Sequence, residues 1–367
     1  MHPKPIVGLF YILAVYLPQR VVSLWGRIHA MLFRKARRAG ETLSEKLVAA
    51  NGSPFRFGGR LVVGKPQLVG EFLATVLGEQ TTHVVDVGAR WGGHDAWWRL
   101  HPVAKLVGFD PDPSECARLN ALPETSTRGE HYVAHALGRT AGRAILYEAA
   151  QPACSSLYRP DPANIARYPS MYETREVKQH ELDLITLDQW WTSADRPEVS
   201  FLKVDTQGSE LDILAGGERL LDGCLGCEVE VEFTPMYQKQ PLFSDVDQFL
   251  RSKGFSLWRI GDMCHYSERR LGRLNRTEQI SYEGSWRSFP AGSGRLFWAN
   301  AIYFRDYAGI ELSAHTWRRL LILAGFLEAA GDLDGAYACL KRVVEWRGEM
   351  LGRPQREALE RHVAELA

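Results

Sequence analysis

The sequence has little cysteine, no excess of either charge, and an N-terminal apolar run that is too short to span a membrane. Its six cysteines lie at scattered positions in 367 residues, which excludes a disulfide framework and favours a reducing, cytoplasmic setting. Basic and acidic residues both number 44, so the overall charge gives no electrostatic reason to expect a nucleic-acid partner. The apolar run at residues 6–17 is shorter than the ~20 residues of a transmembrane helix, and no secretory leader is expected.

Residues 1–50 are predicted to form an amphipathic helical segment. Apolar residues at helical spacing surround Trp25, and residues 34–38 form a basic end. An apolar face, a tryptophan and a basic end are typical of a helix that lies in a membrane surface. The same pattern suits a helix that packs on the domain or on a second copy of the chain in a homodimer. Peripheral membrane association and packing therefore both stay open.

A short strand that ends in a glycine-rich turn is predicted at residues 83–93 (H-V-V-D-V-G-A-R-W-G-G). A β-branched run that breaks into glycines is typical of the first strand-to-helix turn in an α/β nucleotide-binding sheet. Gly88 and Gly92 supply the backbone torsions and the close approach that such a turn needs. A helix beginning near His94 is expected to point its first N–H groups at the ligand.

The turn lacks the second glycine of the dinucleotide fingerprint G-x-G-x-x-G, because Arg90 stands there. That glycine lets a pyrophosphate approach, so a nicotinamide reductase is disfavoured. Instead, Asp86 precedes the first glycine, and a second predicted strand at 105–109 ends in Asp110, where a carboxylate suits ribose hydroxyls. Acidic residues suit a cationic ligand such as S-adenosylmethionine. An ordinary turn with no ligand is the alternative.

Strands and helices alternate along the middle of the chain, which predicts an open parallel sheet with helices on both faces. The predicted strands are 131–137, 144–147, 201–204, 223–231, 255–260 and 296–304. The predicted helices are 67–77, 114–122 (with Ser114 as its N-cap), 211–221 and 245–253, and residues 151–180 and 262–295 are predicted loops. Because ligands bind at the carboxyl ends of such strands, Asp86, Asp110, the residues after Leu137, and Asp205 are expected along one rim.

The chain is expected to divide into three parts. Residues 1–50 form the N-terminal segment, 51–308 the α/β domain, and 309–367 a C-terminal helical hairpin that turns near Gly331. The hairpin is expected to serve packing or dimerisation.

Five stretches together resemble the FkbM family of S-adenosylmethionine-dependent methyltransferases. They are V-V-D-V-G-A-R-W-G (84–92), V-G-F-D-P-D-P (107–113), A-L-G (136–138), S-S-L (155–157) and F-L-K-V-D-T-Q-G-S-E-L-D-I-L-A-G (201–216). The last of these is the most specific. The resemblance implies a Rossmann-like methyltransferase that acts mostly on hydroxyl oxygens, often of sugars in glycans or of secondary metabolites.

The resemblance also implies a cofactor site. Its residues are Asp86, Gly88, Arg90, Gly92, Asp110, Ala136 and Leu137. Asp86 and the two glycines surround the methionine part, Asp110 binds the ribose, and the last two residues lie near the adenine. Arg90 departs from the family, which has asparagine there; it either turns outward or binds an acidic substrate.

Methyl transfer to a hydroxyl requires alignment of donor and acceptor and a group that takes the proton. Asp205, Lys203 and Glu210 are the candidate catalytic residues. Strand alternation puts Lys203 and Asp205 on the same side, where an ion pair that shapes the loop is the alternative to a direct role. Glu210 equally suits a helix cap. His94 and His180 are weaker candidates for the base.

No metal is expected. Glu228, Glu230 and Glu232 share one face of a strand near Asp205 and suggest a metal site only weakly, while C-x-x-C at 224–227 lacks a second pair for zinc. Five aromatic residues are candidate substrate contacts, since flat rings suit sugar faces: Tyr158, Tyr168, Tyr172, Tyr237 and Trp286.

The predicted function is therefore S-adenosylmethionine-dependent O-methylation of a hydroxyl on a saccharide, glycoconjugate or secondary metabolite. The alternative is a non-catalytic scaffold that retains the methyltransferase fold. Arg90 favours the scaffold, whereas Asp86, Asp110 and the 201–216 motif favour the enzyme.

Overall fold

The computed structural model describes residues 55–57, 60–62, 69–93, 99–268, 277–282, 285–290, 294–314, 316–347 and 350–366. The N-terminal segment and the start of the helix expected near His94 lie outside the described residues, as does the side chain of Trp286. Among the described residues, no helix is long and apolar enough to cross a membrane.

The first half of the described chain contains most of the parallel strands. Its strands are β1 Phe55–Phe57, β2 Arg60–Val62, β3 Thr82–Val87, β4 Ala104–Phe109, β5 Glu130–Val133, β6 Ala136–Leu137, β7 Gly142–Ala149 and β8 Glu176–Ile185. Its helices are α1 Val69–Leu77, α2 Pro113–Asn120, α3 Pro123–Arg128 and α4 Pro162–Arg167, with 3₁₀ turns at Pro152–Cys154 and Pro169–Thr174.

The second half completes the sheet and adds the C-terminal helices. Its strands are β9 Val199–Val204, β10 Gly226–Glu232, β11 Phe255–Tyr266, β12 Thr277–Tyr282, β13 Ser285–Pro290 and β14 Arg295–Arg305. Its helices are α5 Leu187–Ser193, α6 Glu210–Ala215, α7 Glu218–Gly223, α8 Phe243–Ser252, α9 Trp317–Ala329, α10 Leu333–Arg347 and α11 Arg353–Leu366, with a 3₁₀ turn at Tyr307–Gly309.

A seven-stranded sheet in the order β11-β14-β10-β9-β3-β4-β5 forms the centre of the fold. The strands from β10 to β5 in this order are parallel, whereas β14 runs antiparallel to both β10 and β11. The predicted α/β sheet is confirmed, but its last strand inserts between two others and reverses direction. The reversal is possible because β14 returns from β11 without a crossover helix, which only a parallel connection requires.

Helices cover both faces of this sheet, and alternation along each strand divides the core into two layers. Val84 and Phe201 pack with α1, α2 and α9–α11 on one face. Val85 and Leu202 pack with α5–α8 on the other face. Full burial of each such side chain contributes about 1.5–3 kcal/mol, so the sheet register is strongly specified.

The C-terminal helices pack directly on the sheet. The rings of Phe201 on β9 and Phe326 on α9 stack with centroids 5.1 Å apart. Gly325 lets α9 approach α1 closely, because an added Cβ would lie 2.7 Å from the Leu73 side chain. The predicted pair is present as α9 and α10, and α11 is a third helix that the sequence analysis did not place. The boundary at residue 309 remains a prediction.

Several predicted element bounds were wrong. The strand predicted at 131–137 is two strands in different sheets, because the chain turns at His135, whose N–H donates to the Val133 carbonyl at 3.0 Å. The helix predicted at 211–221 is two helices separated by Gly216 and Gly217. Residues 262–295 contain the end of β11 and the hairpin β12–β13 rather than loop alone. The cap of α2 is Asp112, not Ser114.

A second sheet, in the order β6-β8-β7, lies between β5 and α5 in the chain. The segment between β7 and β8 was predicted as a long loop and instead contains α4 and two 3₁₀ turns. It packs against β14 and the loop after β10, where Tyr168 and Phe297 meet edge to face with ring centroids 4.7 Å apart. This insertion therefore borders the carboxyl ends of the central strands.

The strand order reverses between β3 and β9. From β3 the chain continues outward to β4 and β5 on one side, and later to β9 and β10 on the other. In open α/β sheets, ligands bind outside the carboxyl ends of the strands at such a switch point. A ligand is therefore expected at the loops after Val87 and Val204.

Candidate functional site

A cavity of about 1560 Å³ lies at this switch point. Its lining includes all seven residues predicted to hold the cofactor and two of the three predicted catalytic residues, Lys203 and Asp205. Glu210 is not part of the lining. A smaller cavity of about 800 Å³, beside Arg159 and Tyr172, contains none of the ten predicted site residues. The structure therefore brings nine of those ten to one place.

Gly88 joins the ends of three neighbouring strands. Its backbone lies at φ +86°, and a Cβ added there would lie 1.8 Å from the carbonyl oxygen of Asp205. The N–H groups of Gly88 and Ala89 both donate to the carbonyl of Phe109 at 2.9 Å. Only glycine suits this combination of left-handed torsion and close approach.

The rest of the glycine turn is held by side chains that the sequence analysis missed. Trp91 adopts φ 73°, a left-handed torsion that is uncommon outside glycine, and its N–H donates to Glu115 Oε1 at 3.0 Å. The N–H of Gly93 donates to the Tyr132 hydroxyl at 2.7 Å. Glu115 lies in the first turn of α2 and Tyr132 lies on β5, so no local sequence signal connects either one to the glycine turn.

Lys203 joins the two acidic residues at the ends of β3 and β9. Its Nζ lies 3.2 Å from Asp86 Oδ1 and 3.5 Å from Asp205 Oδ2. Burial opposes the charged form of Lys203, but the carboxylates of Asp86, Asp205 and Glu228 outweigh it, so the pKa of Lys203 is raised. Burial raises the pKa of Asp86, while Lys203 acts in the opposite direction. Lys203 and Asp205 share a side, as strand alternation predicted.

Arg90 forms ion pairs within the chain. Its Nη1 lies 3.7 Å from Asp110 Oδ1, and its Nη2 lies 3.2 Å from Asp112 Oδ2. Neither of the two alternatives from the sequence, an outward side chain or an acidic substrate, included this arrangement. The guanidinium charge is compensated by two carboxylates, so Arg90 does not oppose a cationic ligand in the cavity.

Asp110 is only 4% exposed, and its Oδ1 accepts the N–H of Asp112 at 2.8 Å. Burial raises the pKa of Asp110, and the Asp112 N–H and Arg90 partly offset this. Beyond Asp110, Ala136 and Leu137 form part of the cavity wall. The side chain of His180 also lines the cavity, where its Nε2 lies 2.6 Å from Glu148 Oε2.

Glu210 lies beneath the loop after β9. Its Oε1 accepts the N–H of Thr206 at 2.7 Å, and its Oε2 accepts the N–H of Gly208 at 2.9 Å. It is only 2% exposed. Burial raises the pKa of Glu210 to about 7, against the effect of these N–H groups. Both N–H groups belong to the loop that precedes α6, so Glu210 fixes the turn that carries Asp205.

Three buried acidic residues lie close together near this turn. Ligand oxygens of Glu210, Glu230 and Glu232 all lie within 4.8 Å of one another. That geometry could accommodate a cation. With no ion bound, burial and mutual repulsion raise the pKa of Glu230 and Glu232 well above the ordinary value. The expectation that the site has no metal stays a prediction.

The aromatic residues that line the cavity differ from the predicted ones. Tyr168 and Tyr237 are buried in the core, Tyr158 donates to Asp212 Oδ2 at 2.7 Å, and Tyr172 borders the smaller cavity. The larger cavity is lined instead by Trp91, Phe109, Tyr132, Tyr266 and Trp298. Trp91 and Phe109 lie within the motifs named in the sequence analysis, whereas Tyr132, Tyr266 and Trp298 lie outside them.

Comparison with known proteins agrees with the residue pattern. Residues 86–257 match the family model described as the methyltransferase FkbM domain. No curated protein sequence matches the chain closely enough to count as a relative.

Three methyltransferases are among the similar solved structures. A precorrin-6y C5,15-methyltransferase from Geobacter metallireducens GS-15 is 10% identical, with a TM-score of 0.31 over 69% of this chain and 93% of its own. A magnesium protoporphyrin IX methyltransferase from Synechocystis PCC 6803 with bound SAM is 12% identical, with a TM-score of 0.28 over 66% and 79%. A TehB-like SAM-dependent methyltransferase from Corynebacterium glutamicum is 8% identical, with a TM-score of 0.26 over 74% and 100%.

The residues around the cavity also fit the cofactor expected from the sequence. Asp86 and Asp110 present carboxylates suited to an ammonium group and to ribose hydroxyls, and Gly88 and Gly92 keep side chains away from the turn. The family is one of S-adenosylmethionine-dependent methyltransferases, so the expected cofactor class is confirmed at the level of the family. The match to the FkbM methyltransferase domain over residues 86–257 confirms the family resemblance that the sequence motifs indicated.

Proposed function

We propose that this protein methylates a hydroxyl oxygen of a saccharide, a glycoconjugate or a secondary metabolite. The observation that carries the proposal is the position of Asp205. Its carboxylate lines the cavity at the switch point, its side chain is 33% exposed, and Lys203 lies 3.5 Å away. A carboxylate that is partly exposed beside the cofactor residues is suited to take a proton from a hydroxyl.

One end of the cavity holds the cofactor in this proposal. Asp86 receives the ammonium group, Asp110 the ribose hydroxyls, and Ala136 and Leu137 border the adenine. Arg90 keeps Asp110 and Asp112 in place through its two ion pairs. When bound, S-adenosylmethionine would supply a methyl group to the acceptor oxygen, with S-adenosylhomocysteine as the leaving group.

The acceptor lies beside Asp205 in this proposal, next to the methionine part of the cofactor, since Lys203 contacts both Asp86 and Asp205. Asp205 takes the hydroxyl proton, and Lys203, whose Nζ lies 3.5 Å from Asp205 Oδ2, holds the carboxylate in place. Lys203 itself stays protonated because its pKa is raised, so it does not serve as the base. Glu210 supports the loop through its contacts with the Thr206 and Gly208 N–H groups.

The charges of the residues that line the cavity limit which acceptors can bind there. Its lining includes 11 aspartate and glutamate residues but only 3 lysine and arginine residues. A field of one sign lowers the local concentration of ligands of the same sign. This supports a neutral or cationic acceptor and argues against the acidic substrate considered for Arg90. Trp298 and Tyr266, which hydrogen-bond at 3.2 Å, offer rings suited to a sugar face.

Transfer of a radiolabelled methyl group tests the proposal. The purified protein is incubated with labelled S-adenosylmethionine and a panel of neutral, amino and acidic saccharides, and the site of methylation is read from the product by mass spectrometry and NMR. We expect a methyl ether, formed by the wild type and reduced at least 100-fold in Asp205→Asn, within the range of general-base contributions.

The outcomes distinguish the alternatives. Methylation of nitrogen or carbon would contradict the assignment to oxygen. Undiminished turnover by Asp205→Asn would contradict the role of Asp205. A folded wild-type protein that binds no S-adenosylhomocysteine would support the non-catalytic scaffold instead.

A further inference from the structure

The smaller cavity, of about 800 Å³, differs from the larger one in the character of its walls. Most of the residues that line it are apolar or aromatic, and they include Pro160, Pro162, Ile165, Pro169 and Tyr172. Ligand pockets of this size are typically apolar, with a few polar groups that fix the orientation of the ligand. The three prolines restrict the backbone of these walls, so little conformational freedom is lost when a ligand binds.

The 3₁₀ turn at Pro169–Thr174 forms part of the wall of both cavities. A 3₁₀ helix has three residues per turn, so residues three apart share a face. Tyr172 and the capping residue Arg175 lie on the face of the smaller cavity. Ser170 and Glu173 lie on the face of the larger one. Because a helix with its side chains is only about 10 Å across, one oligosaccharide can reach from one cavity into the other.

Hydrogen bonds hold the insertion that carries this turn against the loops of the larger cavity. The N–H of Asp161 donates to the carbonyl of Met236, in the loop after β10, at 3.0 Å. The Ser156 hydroxyl donates to the carbonyl of Gln207, in the loop after β9, at 2.6 Å. The Tyr237 hydroxyl donates to Gln207 Oε1 at 3.0 Å. The two cavities are therefore held in a fixed position relative to each other.

The two cavities also differ in charge. The smaller one is lined by two arginines, Arg159 and Arg175, and one acidic residue, Glu176, whereas acidic residues outnumber basic ones around the larger cavity. The Glu176 carboxylate already has partners, since its Oε2 accepts from Arg159 Nε at 3.0 Å and its Oε1 from Gln179 Nε2 at 2.6 Å. Within the part of the chain that the structure describes, no carboxylate forms an ion pair with Arg175. The smaller cavity therefore favours an anionic group.

Tyr172 and Arg175 form the part of this cavity that suits a charged sugar. The Arg175 guanidinium carbon lies 3.9 Å from the centre of the Tyr172 ring, and Arg175 Nη1 donates to the Tyr172 carbonyl at 2.9 Å. These contacts orient the guanidinium, whose remaining N–H groups can bind a carboxylate or a phosphate. Tyr172 is still 56% exposed, so its ring can also pack on a sugar face.

We propose that the smaller cavity binds an anionic sugar, carrying a carboxylate or a phosphate, that is linked to the sugar being methylated. Arg175 binds the anionic group and Tyr172 packs on the ring, while the reacting unit, which is neutral or cationic, lies beside Asp205. The inference rests on the proposed function and narrows its acceptor to a saccharide of at least two units. The opposite charges of the two cavities then determine which end of the acceptor faces the cofactor.

Binding of free sugars tests the smaller cavity without any methyl transfer. The protein is labelled with ¹³C at the arginine Cζ atoms, and the Arg175 signal is assigned by its absence in Arg175→Gln. Glucuronic acid and glucose 6-phosphate are titrated separately, because they distinguish a carboxylate from a phosphate. We expect at least one of them to shift the Arg175 signal and to bind at least about tenfold more tightly than glucose, since hydrogen bonds to charged groups are the strong ones.

Three variants, measured by calorimetry, separate the contributions of charge and ring. Arg175→Gln should lower the affinity for the anionic sugar about tenfold and leave the weak binding of glucose unchanged. Tyr172→Ala should lower the affinity for anionic and neutral sugars alike, because the ring contacts both. Arg143→Gln is the matched control, since Arg143 is an exposed arginine on β7 that lines neither cavity, and it should bind like the wild type.

The contrary results are specific. An Arg175 signal that neither anionic sugar shifts, or equal affinities for glucose and the anionic sugars, would overturn the proposal. An unchanged affinity in folded Arg175→Gln would also overturn it. Inorganic phosphate that binds as tightly as glucose 6-phosphate would show that the Tyr172 wall takes no part, and the site would then not be one for a sugar.

Methyl transfer distinguishes failure of this inference from failure of the proposed function. With an acceptor that carries an anionic neighbouring unit, Arg175→Gln should raise the KM for the acceptor about tenfold and leave kcat unchanged, because the lost contact binds substrate and transition state equally. An unchanged KM would contradict the link between the two cavities. If a methyl ether forms but the Arg175 signal does not move, the inference fails and the proposed function stands. If anionic sugars shift that signal but no saccharide is methylated, the proposed function fails, and with it the link to a methylated unit.

Discussion

The close packing at Gly88 predicts that even a single methyl group there disrupts the site. In Gly88→Ala, the new Cβ meets the Asp205 carbonyl oxygen at 1.8 Å, and the residue must also keep φ +86°. The torsion costs about 1–2 kcal/mol for a residue with a side chain. Overpacking against the backbone adds about 1–3 kcal/mol. We expect a total loss of about 2–5 kcal/mol in the free energy of unfolding.

Gly78 provides a matched control. It has a similar torsion, φ +70°, but no heavy atom lies within 4 Å of an added Cβ. Gly78→Ala should therefore show the cost of the torsion without the collision. Urea denaturation of both variants measures the difference, and titration with S-adenosylhomocysteine shows whether the displaced end of β9 also weakens binding. Equal losses of stability in the two variants would refute the reasoning about Gly88.

Three other changes have expected outcomes. Asp110→Ala should weaken S-adenosylhomocysteine binding by roughly 10- to 100-fold, the equivalent of about 1.5–3 kcal/mol for hydrogen bonds to a charged group, as measured by calorimetry. Lys203→Met leaves two carboxylates without their cation, one of them buried, and should lower the free energy of unfolding by about 3–5 kcal/mol, as measured by urea denaturation. Burial opposes protonation of His362, but the carboxylates of Glu328 and Glu365 outweigh it and raise its pKa above 6.5. The stability that His362 contributes should therefore be present below pH 6.5 and be lost as the pH rises through its folded pKa, so thermal unfolding of His362→Gln should differ from that of the wild type more at pH 5.5 than at pH 8.5.

Each of these predictions has a clear contrary result. Unchanged affinity in Asp110→Ala would remove Asp110 from the cofactor site. Wild-type stability in Lys203→Met would show that the carboxylates are protonated in the folded protein. A stability difference for His362→Gln that grows with rising pH would reverse the expected sign.

The positions of the site residues could be predicted from sequence because they follow strands. Asp86 lies near the end of β3, Asp110 and Asp205 come directly after β4 and β9, and the carboxyl ends of parallel strands meet at one edge of a sheet. The structure places all three in the same cavity. The local hydrophobic pattern and the general topology of parallel sheets were therefore sufficient to place these three residues together.

The partners of those residues could not be predicted, because they depend on contacts between distant parts of the chain. Arg90 pairs with Asp110 and Asp112, which belong to the next strand and helix. Tyr237 reaches Gln207 from the loop after β10, 30 residues away along the chain. Neither contact leaves a pattern in the local sequence.

The hydrophobic pattern of a strand also does not indicate the direction in which the strand runs. The run at 296–304 predicted a strand correctly, but alternation is the same in a parallel and an antiparallel strand. The antiparallel insertion of β14 between β10 and β11 follows from the path of the chain.

The end of α6 also depends on a distant contact. The two glycines at 216–217 end this helix, since Gly216 packs against the Gly138 carbonyl, where an added Cβ would lie only 2.2 Å away.

The central claim is that the switch point between β3 and β9 binds S-adenosylmethionine. Calorimetric titration of the purified protein with S-adenosylhomocysteine tests it most directly, with Asp86→Ala as the variant at the site and Gln238→Ala as the control away from it. We expect micromolar binding that Asp86→Ala abolishes and Gln238→Ala retains. Absence of binding by the folded wild type, or equal binding by Asp86→Ala, would contradict the account.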